Sequence, residues 1–314
     1  MIKYFIQRLL RSMITLLIVV STVFLLLRLM PEEGYFGTGY DKLDEAQKEA
    51  TLTKLGLRDP WYEQLGNFYK NLAKGDLGKS ISYRKNYAIT KILKEKVPYS
   101  IKMGIAALSI SLVFGISLGI LMARYKGKLT DKLGTLYIVI INAVPAAVYY
   151  LIIQLYFSNW FKLPMLFDAD NPKSWILPAV SMSLGSLASY AMWMRRYMVD
   201  ELNKDYIRLA RAKGLKNKNI MVKHVMRNAF VPMAQYLPAS ILFTIAGSIY
   251  IESLYSIPGM GGLLVIAIQR QDNPLVQALV LIYSAISIVG LLLGDVLMAL
   301  VDPRIKLCHS GGER

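Results

Sequence analysis

The chain has one cysteine, Cys308, and two histidines, His224 and His309, in 314 residues. A single thiol excludes an internal disulfide framework and any cysteine-based metal site, and two histidines so far apart in sequence propose no histidine metal centre. Acids are scarce too: 21 aspartates and glutamates stand against 37 lysines and arginines, a formal charge of +16. No nucleophile–base pair and no metal-ligand set can be assembled, so catalytic, metal and cofactor-binding residues are expected to be none. Apolar residues are abundant, 54% of the chain. They fall in uninterrupted runs of about twenty, the length a helix needs to cross a bilayer. The expected fold class is therefore an all-α polytopic membrane protein. The basic excess does not read as a nucleic-acid surface, because its densest cluster is one loop between two apolar runs.

Lys3, Arg8 and Arg11 precede an apolar run from Met13 to Leu27. The run is long for a signal peptide and no small-x-small cleavage site follows, so an uncleaved first span is expected. Five further spans are expected at about Ile101–Ala123, Leu133–Phe157, Trp175–Met194, Val231–Leu254 and Leu275–Leu300. Between the first two lies a polar stretch, Pro31–Pro98, whose bases are nearly balanced by acids; Asp44–Lys54 and Pro60–Leu72 in it read as helices. The chain divides into residues 1–30 (N-terminus and first span), 31–98 (loop domain), 99–300 (a core of five spans with a loop at 205–230) and 301–314 (tail). Six spans put both termini on one side. The loops at 124–132 and 195–230 hold most of the short-loop lysines and arginines, whereas the opposite loops hold only Lys162, Lys173 and Arg270. Both termini are therefore expected in the cytoplasm, with 31–98 outside, since long translocated domains escape the charge rule.

Within the spans, Ser111, Gly115, Gly119 and Ala123 recur every four residues, as do Ser181, Gly185 and Ser189, and Gly290 with Gly294. Such stripes let helices approach closely in lipid. Pro145, Pro178, Pro232 and Pro238 are expected to kink or begin helices, and Asp295 to pair with a basic group. Gly78-Lys79-Ser80 invites a phosphate-loop reading, which fails: the first glycine of that motif would fall on Ala73, and no apolar strand precedes it.

The stretch Asp205–Met233, DYIRLARAKGLKNKNIMVKHVMRNAFVPM, reads as two short amphipathic helices hinged at Gly214. The first, Asp205–Lys213, sets Ile207, Leu209 and Ala210 among charges. The second, Lys218–Phe230, sets Ile220, Met221 and Val225 on one side and Lys223, His224 and Arg227 elsewhere. ARAKGL, a spacer and then H-x-x-RNA resembles the cytoplasmic loop of binding-protein-dependent ABC importer permeases, in the variant of the oligopeptide/dipeptide/nickel group. Where the general pattern has Glu-Ala-Ala, this chain has Arg208, Leu209 and Ala210. Leu55-Gly56-Leu57-Arg58-Asp59-Pro60 and Gly75-Asp76-Leu77-Gly78-Lys79-Ser80 resemble that group's LGLDxP and GDLGxS segments. Ile251-Glu252-Ser253-Leu254-Tyr255-Ser256-Ile257-Pro258-Gly259-Met260-Gly261 resembles its VExxFxxPGxG segment, and Asp302-Pro303-Arg304-Ile305-Lys306 its closing motif.

The resemblance implies a type I ABC importer permease fold with an extracytoplasmic insertion between helices one and two, in a bacterial inner or plasma membrane. It implies a transmembrane subunit that takes up oligopeptides or dipeptides, with nickel or another small solute as the alternative cargo. The implied partners are a homologous second permease, two ATPase subunits that use ATP and magnesium, an extracytoplasmic solute-binding protein and membrane lipid. The coupling residues it implies are Arg208, Ala210, Arg211, Lys213, Gly214, Ile220, Met221, His224, Val225, Arg227 and Asn228. Ile220, Met221 and Val225 are expected to make apolar contact with the ATPase, and Arg211, Lys213 and Arg227, together with Lys223, charged contact. Glu252, Pro258, Gly259 and Gly261 are expected at the translocation path or an outer gate. For Glu252 the competing reading is an interfacial carboxylate hydrogen-bonded to nearby backbone. A secondary transporter is the rival from another class, but such proteins place ionisable groups at the membrane midplane, and these spans nearly lack them.

Overall fold

The computed structural model describes residues 2–29, 31–36, 40–41, 43–245 and 248–301. Apart from one isolated bridge between Lys79 and Ala88, the described residues form helices and turns. In chain order, α1 is Ile2–Arg28, α2 Glu45–Lys54, α3 Trp61–Ala73, α4 Ile89–Arg124 and α5 Leu129–Ala143. Then come α6 Ala146–Ile152, a π turn at Ile153–Phe157, α7 Ser158–Phe161, α8 Ile176–Leu202, α9 Asp205–Ala212 and α10 Asn217–Asn219. A second π turn at Ile220–Met226 leads into α11 Arg227–Ile245, followed by α12 Ile249–Leu254, α13 Met260–Gln269 and α14 Asn273–Val301.

Four stretches are long and apolar enough to cross a bilayer: Leu9–Arg28, Ile89–Arg124, Pro172–Leu202 and Asn273–Gly294. They coincide with four of the six expected runs. A further expected run is broken, because Leu129–Ala143 and Ala146–Phe161 meet at 109°. Pro145 is the reason: its ring drives the residue before it out of the helical region, and Val144 is extended at φ −89° and ψ 129°. Counted as one span, the pair brings the total among the described residues to five where six were expected. The remaining run, 231–254, is divided between α11 and α12, with Ser248 capping α12 through the Ile251 amide. The last part of the polar stretch is helical. Helix α4 starts at Ile89 and carries Pro98 inside it, so the charged residues Lys91, Lys94, Glu95 and Lys96 belong to its first turns.

The bundle is centred on α4 against α8, with α11 packed along α14 and α1 along the outside of α14. The stripe Ser111, Gly115, Gly119, Ala123 is wholly buried and makes the central contact. A Cβ on Gly115 would lie 2.8 Å from the Leu187 carbonyl oxygen, and one on Gly119 2.7 Å from that of Ala191. In lipid, where packing rather than water drives helix pairing, that approach is what holds the pair. Ser181 of the second stripe meets the Tyr255 hydroxyl at 2.9 Å, and Gly290 and Gly294 are buried.

Residues 31–88 form a small lobe over one end of α1 and α14. Asp44 opens α2 with a capping box, accepting from the Gln47 amide at 2.7 Å, and Pro60 precedes α3. Arg58 joins Glu32 (2.7 Å) to Glu49 (2.8 Å) across the lobe's surface.

Candidate functional site

The basic element, 205–230, takes shape as two arms. Lys204 stands before α9, and α9 ends at Gly214, whose φ of +78° is a left-handed conformation that side-chain-bearing residues adopt at a cost. The Leu215 amide returns to the Ala210 carbonyl at 3.2 Å and closes the turn. The second arm, α10 with its π turn, runs without a break into α11, so it is an extension of a bundle helix and not a free loop.

Each arm buries one face in its own chain. Ile207, Ala210, Ile220, Val225, Ala229 and Met233 form one cluster with Ala123, Tyr190, Met194 and Met198, and Met221 packs against it half-buried. This corrects one expectation: Ile220 and Val225 are completely buried and cannot be the side chains that meet another subunit. Among the apolar residues turned to solvent are Leu209 (56% exposed), Leu215 and Val222. Arg208, Arg211, Lys213, Gly214, Arg227 and Asn228 are exposed beside them, and His224 is half-buried. Asn228 donates to the Tyr206 hydroxyl at 2.8 Å, and Tyr206 in turn donates to Glu201, which ties α9 to the end of α8 and the start of α11. Partial burial, with Glu201 alongside, holds the Tyr206 phenol above its ordinary pKa and so keeps it a donor. Tyr206 was not singled out from sequence; nothing marks it there except its place three residues before Leu209. Arg195 makes a bidentate pair with Asp131 (2.5 and 2.8 Å), and the Gly127 amide donates to the same carboxylate at 2.8 Å. The turn before α5 and helix α8 are thereby joined at this basic end.

At the opposite end, Glu252 is 2% exposed. Its carboxylate accepts from the Ser100 hydroxyl at 2.6 Å, the Gly261 amide at 2.6 Å and the Gly262 amide at 3.1 Å. Ser100 is itself held by the Met260 amide at 2.8 Å. The acid thus sits on the first turn of α13, where unpaired amides and the helix dipole favour negative charge. A Cβ on Gly259 would fall 2.3 Å from its carboxyl carbon, so the Pro258-Gly259-Met260-Gly261-Gly262 turn is closed around it. Within this chain Glu252 faces backbone amides and Ser100.

A second buried acid was missed. Asp272 is fully buried and accepts from the Ser80 hydroxyl at 2.5 Å and from the amides of Ile81 (3.2 Å), Ser82 (3.0 Å) and Tyr83 (2.9 Å). The Gly78-Lys79-Ser80 turn therefore does lead into an anion cradle, but the anion is the chain's own carboxylate, 192 residues away from Ser80. Asp272 stands directly before α14, a position where an acid is a helix-start signal, and that signal was legible. The closing motif 302–306 lies outside the described residues, as does the side chain of Asp295. No group of three or more metal-ligating side chains occurs among the described residues.

Comparison with known proteins gives a consistent set. The chain is 32% identical over 309 residues to the dipeptide transport system permease protein DppB of Lactococcus lactis, covering 98% of this chain and 100% of that one. It is 31% identical over 309 residues to the oligopeptide transport system permease protein OppB of Haemophilus influenzae, again covering 98% and 100%. It is 32% identical over 307 residues to the glutathione transport system permease protein GsiC of Pectobacterium atrosepticum, covering 98% and 99%. Among solved structures, it shares its fold with a chain of the MetNI methionine ABC transporter in inward facing conformations. The TM-score is 0.52 at 14% identity, over 68% of this chain and 97% of that one. Residues 115–307 match the family described as the binding-protein-dependent transport system inner membrane component, and with full-length relatives above 30% identity the chain belongs to that family.

Proposed function

We propose that this chain is a transmembrane subunit of an ATP-driven importer for short peptides. A solute-binding protein outside delivers the peptide, a homologous second permease completes the path, and two separate ATPase subunits supply the energy. The three relatives described above are named for dipeptides, oligopeptides and glutathione, which favours peptide over nickel as cargo. On this reading ATP and magnesium belong to the ATPase subunits. The membrane arrangement we favour has six crossings, with 127–162 serving as one bent crossing and 227–254 as another crossing, both termini in the cytoplasm and the 31–88 lobe outside.

One observation carries the coupling role. The basic element is fixed to the bundle on its inner face by Ile207, Ala210, Ile220 and Val225 and turns Leu209, Leu215 and Val222 outward among arginines and lysines. A surface of that kind, buried on one side and apolar within a charged rim on the other, fits a groove on a soluble partner. Because the second arm continues into α11, a displacement of the element moves α11 and, through it, α14. Closure of the ATPase pair then favours one of two bundle arrangements by differential binding. Gly214→Pro tests this directly: proline holds φ near −65°, and the two arms cannot keep their angle. The variant is expected to insert and to associate with the second permease while peptide import and peptide-stimulated ATP hydrolysis are lost. Normal import by the variant would remove the coupling role.

A further inference from the structure

Where the end of α1, helix α3 and the start of α14 come together, two neighbouring cavities of about 220 and 100 Å³ open beneath the 31–88 lobe. They share a wall made of Arg28, Leu55, Pro274 and Gln277. Asp59, Asp76 and Gln64 line only the larger, and Asn273 lines only the smaller, which has no carboxylate.

The site contains buried polar atoms with nothing to bond. Asn273 is 2% exposed, and both of its amide atoms lack a partner, as do Gln277 Nε2 and Gln64 Oε1. Gln64 spends its own amide hydrogens on the Leu57 and Asp59 carbonyls at 3.1 and 2.7 Å, which leaves its oxygen as a pure acceptor. Native interiors rarely leave such atoms unpaired. Arg28 donates to the Tyr35 hydroxyl at 3.0 Å and lies 4.7 Å over the Phe24 ring. No ion pair among the described residues includes it.

The charged groups are unevenly placed. Arg28 and the unpaired Gln277 Nε2 stand on the shared wall, and Asn273 brings an unpaired donor and an unpaired acceptor to the small cavity. The carboxylates of Asp59 and Asp76 and the unpaired Gln64 Oε1 line the large cavity alone. Phe24, Phe68 and Leu281 give that cavity an apolar floor, and α1 continues below it with Leu17, Ile18 and Leu26 exposed. The double cavity therefore opens where a lipid headgroup lies relative to its chains.

We propose that this double cavity binds the headgroup of a phospholipid that carries a primary ammonium. Arg28, Gln277 and Asn273 receive the phosphate, Gln64 and the two aspartates the ammonium, and the exposed outer face of α1 the glycerol and acyl chains. A trimethylammonium headgroup has no N–H to give Gln64 Oε1, and an anionic glycerol headgroup meets Asp59 and Asp76 without a compensating cation. The inference rests on the membrane reading of the chain, not on its cargo or its coupling to ATPases.

The test is native mass spectrometry of the purified importer complex in detergent, titrated separately with phosphatidylethanolamine, phosphatidylcholine and phosphatidylglycerol. Phosphatidylethanolamine is expected to be retained at least about tenfold better than the other two, and Gln277→Leu and Arg28→Gln each to lower that retention about tenfold. Equal retention of the three lipids, or no adduct at all, overturns the proposal and leaves the orphaned amides to ordered water. Displacement of the bound lipid by excess dipeptide overturns it in favour of a soluble zwitterion. If a variant fails to assemble, the headgroup preference of the unaltered complex still decides.

Discussion

At one end of the bundle two buried carboxylates, Glu252 and Asp272, take their hydrogen bonds from backbone amides and from Ser100 and Ser80. At the other end the basic element buries only apolar side chains and leaves its arginines and lysines in solvent. The acids are spent inside the chain, each binding a turn to a helix start. The bases are largely unspent, with Arg195–Asp131 the one ion pair that locks the basic end to a buried acid among the described residues. An end whose polar groups are satisfied internally holds its own shape. Under the proposed function, the end that presents apolar residues in a charged rim is finished by a partner.

The sharpest way to break this contrast is Asp272→Ala. It leaves the amides of Ile81, Ser82 and Tyr83 buried without an acceptor, at about 1–3 kcal/mol for each group left unpaired. We expect a loss of about 3–5 kcal/mol, read as a fall in thermal stability in detergent and as faster proteolysis between residues 78 and 88. Asp272→Asn, which keeps one acceptor oxygen, is expected to lose less. An unchanged melting curve for Asp272→Ala would show that the lobe does not depend on this clasp.

A matched pair probes the basic end. Ile220 is completely buried and Leu209 is 56% exposed. Ile220→Ala is expected to cost about 2–5 kcal/mol of stability, whereas Leu209→Ala is expected to stay within about 0.5 kcal/mol. Under the proposed function, only Leu209→Ala gives a stable chain that no longer retains ATPase subunits on purification. Equal stability losses would place both residues in the core and remove the docking surface.

A smaller effect is expected from Gly259→Ala. The added methyl falls on the Glu252 carboxylate, and relief requires the acid or the turn to shift, at about 1–3 kcal/mol. Gly214→Ala meets no neighbour within 4 Å, so its cost is the left-handed backbone alone, about 1–2 kcal/mol. Measured melting shifts in the reverse order would contradict the assignment of close packing to one glycine and of conformation to the other.

Four of the spans and both lobe helices were legible in the sequence, because apolar run length, the Asp44 cap and Pro60 act locally. The break at Val144–Pro145 was only half legible: the proline was visible, but the run on either side is equally apolar, and hydropathy does not register a bend. The apolar face of Ile220, Met221 and Val225 was legible, but what covers it was not: Ala123, Tyr190, Met194 and Met198 reach it from distant segments of the same chain. The Asp272 clasp joins positions almost two hundred residues apart, and no local pattern contains that pairing, although Asp272 as a helix start was readable. Glu252 was visible as a rare acid near the bilayer; that it closes the glycine turn became apparent only when Ser100 and α13 were brought against it.

The smallest expected effect tests whether the lobe's own surface adds to its fold. Arg58 holds Glu49 through two hydrogen bonds of 2.8 Å, and that contact lowers the Glu49 pKa below its ordinary value of 4.5. A carboxylate with a depressed folded pKa contributes stability that is complete above the unfolded value and disappears as pH falls through the folded one. Resistance of residues 31–88 to a protease active in acid is therefore expected to be level from neutrality to about pH 5 and to decline below about pH 4. Glu49→Gln should flatten part of that decline. The group is fully exposed and solvent screens the pair, so the step is small beside the loss from Asp272→Ala. A step of equal size in Glu49→Gln would assign the acid sensitivity to other carboxylates and leave the buried clasp as the feature that holds the lobe to the bundle.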